Sequence, residues 1–174
     1  MRKVIFIMGD IAAGKSTYAK HLSAEFKIPY FLKDTFKEIL SDSIGYIDRP
    51  SNRKLSEGAF LAMLEISKKL MEQNISFILE SNFRQEELNA YKKLVDEFKY
   101  DSITIFLQGD IETLHKRYLE RVAGRHETHM AVDLRKYEDF QKLIIETRKI
   151  IPFEKFVVLD ATDFSFYNVK ILTI

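Results

Sequence analysis

The chain contains no cysteine. That excludes disulfides and any thiolate metal site, and it fits a cytoplasmic protein. An excess of one charge is missing too: 27 Lys and Arg stand against 26 Asp and Glu, a formal net charge of +1. Such a balance does not announce a nucleic-acid or membrane partner. No apolar run is long enough to span a bilayer, and Met1-Arg2-Lys3 leads directly into an apolar segment, leaving no room for a secretory leader. The three prolines and six glycines fall mostly where elements end, and no repeat or low-complexity stretch is visible. What remains is 174 residues, 46% hydrophobic and 30% charged, the composition of an ordinary globular protein. That length suffices for a full core, so residues 1–174 read as one domain, monomeric or homodimeric.

One stretch stands out. Gly9-Asp10-Ile11-Ala12-Ala13-Gly14-Lys15-Ser16-Thr17 fits the phosphate-binding pattern G-x-x-x-x-G-K-[ST] at every fixed position. Gly9 and Gly14 allow a tight turn and close approach of the backbone to a polyphosphate. The amides of Ile11, Ala12, Ala13, Gly14, Lys15, Ser16 and Thr17 would line an anion-binding concavity at a helix N-terminus. Lys15 can reach the β- and γ-phosphates as a point charge, and Ser16 can offer its hydroxyl to magnesium. The flanks suit this chemistry. Val4-Ile5-Phe6-Ile7-Met8 is a fully apolar run, as in a strand buried on both faces, and Tyr18, Ala19, Leu22 and Phe26 recur at helical spacing.

The rest of the chain alternates in the same way. Apolar runs at 28–32, 75–79, 103–107 and 156–159 read as further strands. A short helix follows Lys33, residues 41–52 read as a loop, and a long helix carries Leu55, Ala59, Met63, Ile66 and Leu70 on one face. Asn82 and Gln85 resemble a capping box for the helix through Phe98, Asp110 caps the next helix, and a last one spans about 133–149. The tail from Thr162 fits either a helix or a strand. Alternating strands and helices imply a parallel sheet covered on both faces, a three-layer α/β sandwich with ligands at the carboxyl ends of its strands.

Three polar clusters fall at those ends. Asp34 follows the second strand, where a carboxylate can take the proton of an attacking hydroxyl or merely cap a helix beginning at Thr35. Glu80 ends the third strand, where it can hold magnesium or orient an acceptor. Arg117, Arg121 and Arg125 are spaced by four and would share one helix face. Neither Arg121 nor Arg125 has a carboxylate three or four residues away, so an anion from elsewhere would offset their repulsion, and Gly124 suits a segment that closes over a nucleotide. His126 and His129 have no acidic neighbours at ligand spacing and read as hydrogen-bonding groups. The acceptor pocket is expected from the residues after Asp34, the 41–53 loop and the helix start after Asn82, with Arg49, Arg53, Lys54 and Arg84 as weaker contacts.

Together, the Gly9–Thr17 loop, the Lys33-Asp34-x-x-Lys37 turn, Glu80-Ser81-Asn82-Phe83 and Arg117-x-x-x-Arg121-x-x-x-Arg125-His126-x-x-His129 resemble the small P-loop kinases of the AAA-domain "predicted kinase" group. Its relatives include chloramphenicol phosphotransferase, zeta toxin and the polynucleotide 5′-hydroxyl kinases. The resemblance implies a P-loop NTPase sheet in the order 2-3-1-4-5, like the nucleotide kinases, with a lid at about 117–131. It implies Asp34 as the acceptor-activating base and Arg121 or Arg125 as the lid arginine. Lys37 departs from the polynucleotide kinases, which place an arginine there to grip a phosphate; lysine cannot make that bidentate contact. The sequence therefore reads as an ATP- and magnesium-dependent kinase of a hydroxyl group on a small molecule. Lys15, Asp34, Arg121 and Arg125 are expected at the reacting atoms, Arg117 at the nucleotide, Ser16 and Glu80 at the metal, and Asp34, Lys37, Glu80, Asn82 and Arg84 at the acceptor. A polynucleotide 5′-end kinase is the less favoured reading, and a slowly hydrolysing nucleotide switch a third.

Overall fold

A computed structural model describes residues 2–129, 133–153 and 155–168. Five parallel strands form one sheet in the order β2-β3-β1-β4-β5, as the family resemblance implies. The strands are β1 (Lys3–Gly9), β2 (Tyr30–Leu32), β3 (Phe77–Glu80), β4 (Asp101–Gln108) and β5 (Phe156–Asp160). Side-chain alternation splits the core in two. On one face Ile5, Ile7, Ile103 and Ile105 pack against α1 (Lys15–Phe26), α5 (Ile111–Val122) and α6 (Tyr137–Thr147). On the other, Val4, Phe6, Met8, Phe77 and Leu79 meet α3 (Arg49–Glu72) and α4 (Gln85–Phe98). With helices on both faces, the central strand needs no polar side, which explains its unbroken apolar sequence.

Several boundaries differ from the sequence expectation. The stretch 41–52 is mostly helical: α2 runs Lys33–Ile44, and α3 begins at Arg49. Asp48 accepts from the Ser51 amide at 2.8 Å while Ser51 Oγ accepts from the Asp48 amide at 3.0 Å, a reciprocal cap. Pro50 sits in the first turn, where its missing N–H costs nothing. Asn82 is not the cap of α4; Glu87 reaches back to the Arg84 amide at 3.1 Å instead. The last helix starts at Tyr137 because the Asp133 carboxylate is occupied by Arg135, accepting from its amide at 3.0 Å and its guanidinium at 2.9 Å. In the tail, Ser165–Asn168 forms a 3-10 turn; the alternative for 169–174 lies outside the described residues, as do 130–132 of the expected lid. No helix among the described residues is long and apolar enough to cross a membrane.

Candidate active site

The glycine loop sits where β1 hands over to α1, and Gly9 shows why that position admits no side chain. Its φ is +127°, and a Cβ there would lie 2.1 Å from the carbonyl oxygen of Leu107 on the adjoining β4. Lys15 folds over the loop and donates to the carbonyls of Gly9 at 3.1 Å and Asp10 at 2.8 Å. Burial holds its ammonium below the ordinary lysine range, against the opposing pull of Glu80, Asp34 and Asp10.

Register brings the second group in. β3 pairs with β1 so that Glu80 lies opposite Ile7, one strand over from the loop. Ser16 Oγ donates to Glu80 Oε2 at 3.2 Å. Burial pushes the Glu80 carboxyl up to about 7, with Lys15 and the Ser16 hydroxyl pulling the other way. Beyond Glu80, Phe83 is fully buried between Phe6 and Tyr91, ring centroids 5.8 and 5.6 Å away, and this anchors the turn carrying Ser81 and Asn82.

Asp34 is the second residue of α2, whose N-cap is Leu32, so the helix does not start at Thr35 and Asp34 makes no cap hydrogen bond. Its side chain is 62% exposed and lines the same cleft as Lys15, Ser16 and Glu80, with His129 Nδ1 3.8 Å from Oδ1. Arg121 and Arg125 line this cleft as well, and burial together with Arg125 pushes the Arg121 guanidinium below its usual range. Lys15, Ser16, Asp34, Glu80, Asn82, Arg121 and Arg125 thus share one polar cleft of about 190 Å³.

Other expected residues are placed elsewhere. α5 ends at Val122, so the three arginines do not continue along one helix face. Arg117 turns toward the chain end, donating to Ala161 O at 2.6 Å and to Thr162 O, with its guanidinium 4.0 Å from the centre of the Phe164 ring. With Ala12, Gly14, Thr17 and Tyr167 it borders a second cavity of about 590 Å³ beside the loop. Lys37 donates to Asn52 Oδ1 at 2.7 Å and Thr128 O at 3.1 Å. Arg84 is exposed at the start of α4. The segment after α5 is fastened to α2 and α3: His126 to Asp42 at 2.9 Å, His129 to Glu38 at 2.8 Å, and the Asn52 amide to Thr128 O at 3.0 Å. His126 and His129 thus hydrogen-bond across to α2, and among the described residues no three His, Asp or Glu side chains gather as a metal site.

Two features escaped sequence reasoning. Asp10, inside the loop, is fully buried and carries a salt bridge from Arg148, Nη2 to Oδ2 2.5 Å, with the Gly109 amide donating to the same oxygen at 3.1 Å. Nothing local marks that pair, whose members are 138 positions apart. Phe164 and Tyr167, at the second cavity, did carry a signal in the aromatic-rich run Phe164-Ser165-Phe166-Tyr167.

No family model matches the chain, and no curated protein matches its sequence. Solved structures do. A protein of Chloroflexus aurantiacus described as a "putative kinase" is 26% identical, with a TM-score of 0.79 over 92% of this chain and 89% of its own. A sugar kinase of Janibacter is 14% identical with a TM-score of 0.58, covering 92% of this chain and 86% of that one. A gluconokinase of Sinorhizobium meliloti is 16% identical, TM-score 0.54, covering 92% and 83%. In strand order and layer arrangement this chain has the α/β fold of the kinase-like P-loop NTPases.

Proposed function

We propose that the protein is an ATP- and magnesium-dependent phosphotransferase that moves the γ-phosphate onto a hydroxyl of a small molecule. The observation that carries this reading is the meeting of Lys15, the Ser16–Glu80 pair, Asp34, Arg121 and Arg125 in one polar cleft at the carboxyl ends of β1 and β3. Kinase folds of 14 to 26% identity support the reaction class.

Each residue then has a task. Gly9, Gly14 and the amides from Ile11 to Thr17 cradle the phosphates. The second cavity, walled by Arg117 over Phe164 and by Tyr167, suits a flat purine with its sugar beside the loop. Ser16 and Glu80 present two hard oxygen donors 3.2 Å apart, a fit for magnesium directly or through water. When bound there, the ion supplies positive charge against the phosphate oxygens. Asp34, free of any capping duty, accepts the proton of the acceptor hydroxyl. Arg121 and Arg125 stabilise the charge on the transferring phosphoryl.

Two measurements test this. Calorimetry with a non-hydrolysable ATP analogue and magnesium should give binding, and Lys15→Ala should remove it together with phosphoryl transfer. Absence of heat from any purine triphosphate with the intact protein would overturn the proposal.

A further inference from the structure

Two unlike sets of groups line the cleft. The loop contributes Lys15 and Ser16, whereas Ser56 comes from α3 and Ser81 and Asn82 from the turn after β3, with Asp34 lining the same cleft. Among the described residues, none of the Ser56, Ser81 and Asn82 side-chain groups has a hydrogen-bond partner in the protein. Ser81 is buried, Ser56 half-buried and Asn82 exposed, and with no protein partner all three can bond a ligand that enters the cleft.

Arg84 is exposed and does not line the cleft, so the charges that bear on an acceptor there are those of the lining residues and of Lys37. Lys33 reaches the cleft edge, but Glu87 neutralises it in a buried ion pair whose side chains are 7% and 5% exposed. Lys37 spends donors on Asn52 and Thr128 rather than on the cleft. The other lining cations are Lys15, Arg121 and Arg125, set against the lining carboxylates Asp34 and Glu80. With Glu80 ionised, as holding magnesium would require, their surplus of one positive charge is less than the roughly two negative charges a magnesium-bound triphosphate brings. A second anion would enter without a counter-charge and beside the Asp34 carboxylate, a repulsion costing several-fold to many-fold in affinity. Apart from Ile11 of the loop, no large apolar side chain lines the cleft, which disfavours an aromatic or aliphatic acceptor.

Resting on the phosphotransferase reading, we infer that the acceptor is a small uncharged polyhydroxy compound, a polyol or sugar. Its hydroxyls are held by Ser56, Ser81 and Asn82 while one faces Asp34. In the step itself that hydroxyl's proton passes to the Asp34 carboxylate and its oxygen bonds to the γ-phosphorus. The bond from that phosphorus to the β–γ bridging oxygen breaks, and its electron pair leaves with ADP.

The test is ADP release by the intact protein with magnesium and ATP, measured over matched acceptor pairs: glycerol against glycerate and glycerol 3-phosphate, glucose against gluconate, and a 5′-hydroxyl oligonucleotide. The expected result is a kcat/KM at least 100-fold higher for the uncharged member of a pair. Asn82→Ala and Ser56→Ala should raise the KM for that acceptor about tenfold with the nucleotide Kd unchanged, and Ser56→Lys should narrow the preference against the acid. Equal or faster turnover of the charged partner overturns the inference, and so does nucleotide binding with no turnover of any uncharged compound. Absence of nucleotide binding removes the phosphotransferase reading itself, which calorimetry reports separately.

Discussion

The Asp10–Arg148 pair offers the sharpest test of how the loop is held. Asp10 is fully buried, and the Arg148 side chain is 30% exposed. Arg148 Nε donates to both Asp10 carboxylate oxygens at 3.1 and 3.2 Å, and Nη2 donates to Gly109 O at 2.7 Å. Arg148→Met keeps much of the stem but leaves a carboxylate in the protein interior with the Gly109 amide as its remaining partner. Removing one member of a buried pair costs about 3–5 kcal/mol. Because Arg148 is partly open to water, the lower end applies, about 3 kcal/mol, or roughly 6–12 °C in Tm for a domain of this size. Urea denaturation with an unchanged m-value is the assay. Asp10→Asn combined with Arg148→Met leaves no buried charge and should recover about 2 kcal/mol relative to the single change. Since the Asp10 carbonyl also accepts from Lys15 at 2.8 Å, Arg148→Met should weaken nucleotide binding as well. A loss below about 1 kcal/mol, or a double variant no more stable than the single one, would refute the reasoning.

The other expectations concern the cleft and the segment closing it. Asp34→Asn should lower kcat by about 10²–10⁴-fold while nucleotide affinity, read by calorimetry, stays within a few-fold; intact turnover would remove the base assignment. Glu80 has a folded pKa of about 7 against an ordinary 4.5, so its contribution to stability is complete below about pH 4.5 and fades as pH rises through 7. The difference amounts to about 3 kcal/mol, which Glu80→Gln should abolish in unfolding curves taken from pH 4.5 to 8. Magnesium-dependent nucleotide binding should strengthen across pH 6–8 as Glu80 ionises, and that gain too should vanish in the variant. Asn52→Leu removes the amide that donates to Thr128 at 3.0 and 3.1 Å, so proteolysis between residues 123 and 129 should quicken at least tenfold without unfolding of the sheet. Unchanged cleavage there would mean that this segment is held by other contacts.

What the sequence settled by itself is what short-range physics controls. The glycine loop follows from φ values only glycine tolerates well and from a buried strand feeding a helix, so Gly9 to Thr17 could be located without coordinates. The apolar runs located all five strands to within a few residues. β5 leaves Phe156 and Val158 exposed and was legible by its apolar run alone. For β1, β3 and β4 the reason is that a parallel strand covered on both faces has no polar register to obscure it. Placing Asp34 and Glu80 at strand ends put both near the loop for the same reason. The capping alternatives were less secure: Asp48, Glu87 and Arg135 competed with the expected groups through side-chain contacts that several local sequences could equally make.

Only the tertiary structure decided where long, flexible cations end. Arg117 and Arg121 sit one helical turn apart, yet one clasps the carbonyls of Ala161 and Thr162 and the other faces the cleft. Lys33 and Lys37 are likewise one turn apart, and one is neutralised by Glu87 while the other ties Asn52 to Thr128. Arg148 finds Asp10 across 138 positions. Backbone conformation and hydrophobic period are properties of neighbouring residues, whereas the destination of a charged side chain depends on which distant carbonyl or carboxylate the sheet order brings within 3 Å or so.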